Sequence, residues 1–156
     1  MNRNYDWRAS RYCVFKNFVH LVFVTKYRRG VFTEAMLIDM QKIFEKSCQK
    51  LGGELLQLGG EDDHVHLMVS VPPTIALCHF VGRLKGASSY EIRKKYAPII
   101  RKKLWGKHLW SPSYCVVSCG GTTLEVVRKY IARQRAPIYV GDIAQSNQGK
   151  RHTGKK

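Results

Sequence analysis

Two histidines one residue apart open the run His64, Val65, His66, Leu67, Met68, Val69, Ser70, Val71. Its period-two alternation reads as a strand with Val65, Leu67, Val69 and Val71 on one face and both histidines on the other. Side chains two apart on a strand project in parallel from α-carbons about 6.5–7 Å apart, so two imidazoles can converge on one ion. The same pattern suits half-buried polar residues of an edge strand, and the spacing leaves both readings open. Tyr130 and Gln134 stand four residues apart, one above the other on a helix, beside the apolar stripe of Leu124, Val127 and Ile131. A tyrosine there either packs at a core margin or reaches a sheet surface with its polar tip free. Asp62 and Asp63 precede the histidine pair, either as turn formers or as carboxylates that orient an imidazole through its second nitrogen.

The elements that must position these groups follow from pattern and punctuation. The β-branched, aromatic and apolar stretch 13–25 predicts one strand, with Phe18, His20, Val22 and Val24 alternating against Val19, Leu21, Phe23 and Thr25. Lys26 to Gly30 form a basic turn. Thr33 is a natural N-cap for a helix carrying Met36, Leu37, Met40, Ile43, Phe44 and Leu51, which Gly52 and Gly53 stop. Two short strands, 54–59 and 64–71, form a hairpin across Gly60 to Asp63, and Pro72 and Pro73 end it. A helix is expected over 74–85, with Ser88 or Ser89 capping a further turn through Tyr96 and Pro98 closing the region. A strand at 114–117 follows a loop with two tryptophans. A last helix opens at Thr122 with Glu125 as a capping box and closes before Pro137. Strand, helix, strand, strand, helix, strand and an extra helix make an α+β chain on the ferredoxin-like split βαβ plan with an antiparallel sheet. At 156 residues the chain fits one domain, taken as 1–140, followed by a basic tail, 141–156, rich in Gly, Ser and Lys and expected to be disordered.

Charge points to the partner. Lys and Arg total 27 against 11 Asp and Glu, a formal net charge of +16, and the pI is near 9.9. A polyanion, nucleic acid by default, is the expected ligand. Between 83 and 107 lie Arg83, Lys85, Arg93, Lys94, Lys95, Arg101, Lys102, Lys103 and Lys107 against the single acid Glu91, a surface suited to tracking phosphates. Lys26, Arg28 and Arg29 make a second basic cluster. Tyr90, Tyr96, Trp105 and Trp110 either stack on unpaired bases or anchor their loop to the core. Five cysteines without a repeated CxxC spacing read as reduced packing residues. No apolar run approaches the roughly 18 residues of a spanning helix, and the first residues hold no apolar signal core, so no membrane contact and a cytoplasmic location are expected. No GxxxxGK[ST] loop is present, and no nucleotide cofactor is expected.

Four ordered segments, FVHLVFVTKYRRGVF, GGEDDHVHLMVSVPP, LKGASSYEIRKKY and LWGKHLWSPSYCVVSCGGTTLEVVRKYIARQ, spanning roughly 14–134, together resemble the TnpA-type single-tyrosine transposases of the HUH nuclease superfamily. These enzymes serve insertion sequences that move as single-stranded DNA. The resemblance implies that His64, His66 and the amide oxygen of Gln134 ligate a divalent metal, Mg2+ or Mn2+, and that Tyr130 is the nucleophile. It further implies cleavage and rejoining of single-stranded DNA at element ends through a 5′-phosphotyrosyl intermediate, recognition of DNA hairpins near those ends, and a homodimer in which one chain's tyrosine helix can complete the other's metal site. Two other readings remain: a non-catalytic single-stranded DNA or RNA binding module on the same plan, which explains the charge but not the histidine, tyrosine and glutamine set, and a domesticated HUH nuclease acting on chromosomal repeats. Lys26, Arg28, Arg29, Arg83 and Lys85 are the expected nucleic-acid contacts.

Overall fold

The computed structural model describes residues 7–119. Within them the order is β1 (Arg8–Ser10), β2 (Cys13–Phe15), β3 (Phe18–Val24), a 3-10 turn (Lys26–Arg28), α1 (Glu34–Lys50), β4 (Glu54–Gly60), β5 (His64–Ser70), α2 (Leu77–Lys95), α3 (Ala97–Lys103) and β6 (Cys115–Ser118). Strands β4, β5, β3 and β6 lie side by side in that order, every neighbour antiparallel. With α1 and α2 as the two crossovers, this is the ferredoxin-like arrangement expected from the element order.

One sheet face is hydrophobic and covered by helices. Val19, Leu21 and Phe23 of β3 and Val65, Leu67 and Val69 of β5 share a core with Met36, Met40, Phe44 and Cys48 of α1 and Phe80, Val81, Leu84 and Ile92 of α2. The α1 residues recur every four positions and so form one stripe. Thr33 caps this helix, its side chain accepting from the Met36 amide at 3.3 Å. At the other end Gly52 takes the left-handed conformation (φ +77°), and a β-carbon on Gly53 would lie 2.7 Å from the Ser70 carbonyl, so both glycines are required where the chain turns back into β4. The opposite sheet face carries Phe18, His20, Val22 and Val24 of β3 and His64, His66, Met68 and Ser70 of β5; all are buried except the half-buried His66.

The stretch expected as one strand over 13–25 is two. At Asn17 the chain leaves the sheet: its side-chain amide donates to the Val71 carbonyl, and its own carbonyl accepts from the Val71 amide, each at 3.0 Å. The segment before it folds back as β2 against β1. The helix expected over 74–85 starts later and runs unbroken to Lys95. Gly86 costs about 1 kcal/mol there, but burial of Leu84, Ser88 and Ile92 carries the helix past it. Ser88 caps nothing; its hydroxyl donates to the Leu84 carbonyl at 2.8 Å. Pro98 opens α3 rather than closing the region, since a proline in the first helical turn gives up an amide that had no intrahelical acceptor. The tryptophans divide: Trp110 is buried, its indole N–H donating to the Ser88 hydroxyl at 2.9 Å, and Trp105 is 84% exposed. No helix among the described residues is long and apolar enough to cross a membrane. The helix expected from Thr122, with Tyr130 and Gln134, lies outside the described residues, as does 141–156.

Candidate metal centre

His64 and His66 sit on β5, an inner strand, so the edge-strand reading of the pair does not hold. In register His64 faces Val24 and His66 faces Val22 on β3, and on the other side His66 faces Gly59 of β4. Their rings meet edge to face with centroids 4.9 Å apart. Residues directly opposite in an antiparallel ladder share a face, so the glycine leaves the β4 flank of His66 without a side chain, and a β-carbon built there meets nothing within 4 Å.

Each imidazole has its Nδ1 engaged. Asp63 Oδ1 lies 2.7 Å from His64 Nδ1. Asp63 Oδ2 accepts from Arg28 Nε at 3.3 Å and from a terminal guanidinium nitrogen at 3.1 Å. A carboxylate only accepts, so it holds the His64 proton on Nδ1 and leaves Nε2 bare for a metal. Of the two adjacent acids, Asp63 takes the orienting role, and Asp62 shapes the turn: its carbonyl accepts from the Val31 and Phe32 amides at 2.8 Å each. His66 Nδ1 is 3.1 Å from Nε2 of His20, and the two rings stack at 15°. Sequence reasoning grouped His20 with Phe18, Val22 and Val24 on one side of its own strand and gave it no role, because the spacing of a strand carries no information about which residue of a distant strand lies beside it.

Burial favours the neutral form of His66 and His20, and neutral imidazole is the form that ligates metal. Burial, then the neighbouring charges of His20 and His64, push the His66 pKa down to about 4; burial also lowers that of His20. Partial burial works to raise the Asp63 pKa, but hydrogen bonds from His64 and Arg28, with the Arg28 charge, outweigh it and hold the carboxyl below its ordinary value. Two imidazoles on one face with engaged Nδ1 atoms fit a divalent cation that keeps open positions. Among the described residues no set of three or more His, Cys, Asp or Glu gathers as a metal site; Gln134 and Tyr130 lie outside the described residues.

The expected phosphate contacts fall into two groups. Arg28 turns onto Asp63, because Tyr27 and Arg28 both adopt positive φ (58° and 51°) and bend the basic turn toward the hairpin. Lys85 points its ammonium at the Ser111 and Ser113 carbonyls, and burial lowers its pKa. Arg29 and Arg83 are exposed and Lys26 is half-buried. Arg83 lines a groove of about 410 Å³ between α1 and α2, with Lys50, Gly82, Gly86 and Tyr90; it lies on the helical side, away from the histidines.

Residues 13–134 match the family described as Transposase IS200 like. The chain is 33% identical over 129 residues to the ISDra2 transposase TnpA of Deinococcus radiodurans, covering 83% of this chain and 91% of that one. It is 28% identical over 138 residues to the transposase for insertion sequence element IS200 of Salmonella typhimurium, covering 88% and 90%. A crystal structure from Deinococcus radiodurans assigned as a transposase superposes with a TM-score of 0.65 at 32% identity over 83% of this chain and 99% of that one. A REP associated tyrosine transposase bound to a REP hairpin shares the fold, with a TM-score of 0.53 at 12% identity over 80% and 67%.

Proposed function

We propose, from the premise that this chain belongs to the IS200-like transposase family, that it cleaves and rejoins single-stranded DNA at the ends of a mobile element with Tyr130 as nucleophile. The observation that carries this reading is the inner-strand pair His64 and His66, each with its Nδ1 engaged by a neighbouring side chain. Gln134 is the proposed third ligand through its amide oxygen. Mg2+ or Mn2+ is the expected ion; bound there, it would withdraw charge from a phosphate oxygen and hold the phosphate in place.

The chain's own residues do the rest. Tyr130 Oη attacks phosphorus, its proton passing to water; the bond from phosphorus to the 3′ oxygen breaks, and that oxygen takes up a proton as a 3′-hydroxyl. The product is a 5′-phosphotyrosyl ester. One phosphodiester replaces another, so the reverse attack by a different 3′-hydroxyl needs no nucleotide cofactor. Asp63 holds His64, and the side-chain-free flank at Gly59 leaves room for the strand to approach His66. The net charge of +16 suits single-stranded DNA, and hairpin ends are the expected substrate, a reading supported by the REP hairpin on the fold neighbour. Insertion-sequence transposases at 28–33% identity favour a mobile element over chromosomal repeats as the target.

The test incubates the protein with Mn2+ and labelled single-stranded element ends. A covalent protein-DNA adduct is expected with the native chain and none with Tyr130→Phe; an undiminished adduct in that variant refutes the assignment. The proposed homodimer is tested in the same assay by mixing Tyr130→Phe with His64→Ala/His66→Ala. Recovery of adduct shows a site assembled across two chains, and continued silence shows one assembled within a single chain.

A further inference from the structure

We propose that His20 is a positioning residue for the metal centre: its ring fixes the orientation and the proton-bearing nitrogen of His66, as Asp63 does for His64. The inference rests on the reading of His64 and His66 as ligands.

His20 lies in the middle of β3 and is 1% exposed. An imidazole costs more to bury than the valines that share its face, Val22 and Val24, unless its nitrogens are bonded. One of them is. In register His20 faces Met68 and Val22 faces His66, so His20 reaches diagonally, stacking on His66 with centroids 5.2 Å apart and Nε2 3.1 Å from Nδ1. Its other nitrogen has no hydrogen-bond partner among the described residues. The contact to His66 is therefore the one polar interaction there that repays a histidine at this position.

A ligating imidazole needs one bare nitrogen, and the partner of the other nitrogen decides which one that is. The bond between these rings closes in two ways. If His20 donates from Nε2, the His66 proton sits on its own Nε2 and blocks the metal. If His66 donates from Nδ1 to His20 Nε2, the His66 Nε2 is bare. His20 is not itself a third ligand in that second arrangement, because its Nε2 accepts from His66 and its own proton sits on Nδ1. Metal binding selects the second arrangement, and His20 supplies the acceptor it requires.

The test compares the native chain with His20→Phe, which keeps a stacking ring without nitrogen, and His20→Gln, which keeps an acceptor. His20→Leu replaces the Phe variant should that one fail to fold. Mn2+ binding is measured by calorimetry, and the His66 tautomer is read from 15N imidazole spectra of the metal-free proteins. Loss of a partner of this kind costs about 10–100-fold in metal affinity. That loss is expected in the Phe variant, with native-like affinity in the Gln variant and a shift in the His66 tautomer populations when the acceptor is removed. Unchanged Mn2+ affinity and unchanged His66 signals in a folded Phe variant overturn the role of His20. A native chain that binds no Mn2+ overturns the metal reading instead, and the metal-free spectra then still decide whether His20 governs the His66 proton.

Discussion

Asp63→Ala removes one oxygen 2.7 Å from His64 Nδ1 and another 3.1 and 3.3 Å from Arg28. The Asp63 and Arg28 side chains are 21% and 33% exposed, so their ion pair sits in the solvent-screened regime and contributes about 1 kcal/mol or less. The bond to His64, whose side chain is 6% exposed, is charge-assisted and contributes about 1.5–3 kcal/mol. Unfolding by urea should therefore register a loss of about 1.5–4 kcal/mol, with the fold retained. Without the carboxylate the His64 proton is free to sit on Nε2, and Mn2+ affinity should fall about 10–100-fold, equivalent to about 1.4–2.7 kcal/mol. Asp63→Asn keeps an acceptor oxygen for His64 and should lose less on both scales. In the adduct assay the Mn2+ concentration for half-maximal rate should rise with the affinity loss, and the rate at saturating metal should approach that of the native chain, because the ligands themselves are intact. Native Mn2+ affinity in a folded Asp63→Ala variant would refute the orienting role. So would a rate that stays low at saturating metal, which would place Asp63 in the chemical step.

Gly59→Val should leave stability unchanged or raise it by up to about 1 kcal/mol, because a β-carbon there meets nothing and a β-branched residue suits a strand. It should slow adduct formation about tenfold or more by crowding the approach to His66; an unchanged rate would show that DNA does not enter past β4. The depressed His66 pKa fixes the sign of an acid effect. Below the ordinary value of 6.5 the unfolded chain takes up a proton that the folded chain refuses until about pH 4, so stability should fall across that window as pH drops. Urea midpoints should record the fall, and His66→Gln should reduce it without abolishing it, because burial lowers the His20 pKa in the same window; Asp39 and Asp63, with lowered values, lose their contributions only below about 3.8. Trp110→Ala should cost about 3–5 kcal/mol in urea unfolding, since the ring packs on Phe23 and Phe32, whereas Trp105→Ala should leave the midpoint within experimental error.

Alternation made the two faces of β3 and β5 legible from residue order alone, and with them the shared side of His64 and His66. Thr33 and the Gly52–Gly53 pair marked the ends of α1 for the same reason: each is a local requirement of the chain. Contacts across the sheet were not local. That His20 lies on the diagonal from His66 depends on the pairing of β3 with β5, and a shift of two residues would have brought Val22 or Phe18 there instead. Arg28 read as a phosphate contact because a basic turn is ordinarily solvated; its attachment to Asp63 follows from two consecutive non-glycine residues in the left-handed region, which residue type does not signal. The unbroken α2 was missed at Gly86, where burial on either side outweighed a local preference.

The pairing of β5 with β3 also acts as a form of error correction. A slip of one place would turn both imidazoles inward among Met36, Met40, Phe44 and Phe80 and expel Val65, Leu67 and Val69 to the other side. The expelled aliphatic side chains lose their packing against α1 and α2, and imidazoles stranded in hydrocarbon add to the penalty. Oil-like matter on one side of the sheet thus proofreads the placement of reactive groups on the other, and this assurance is complete before any ion or nucleic acid arrives.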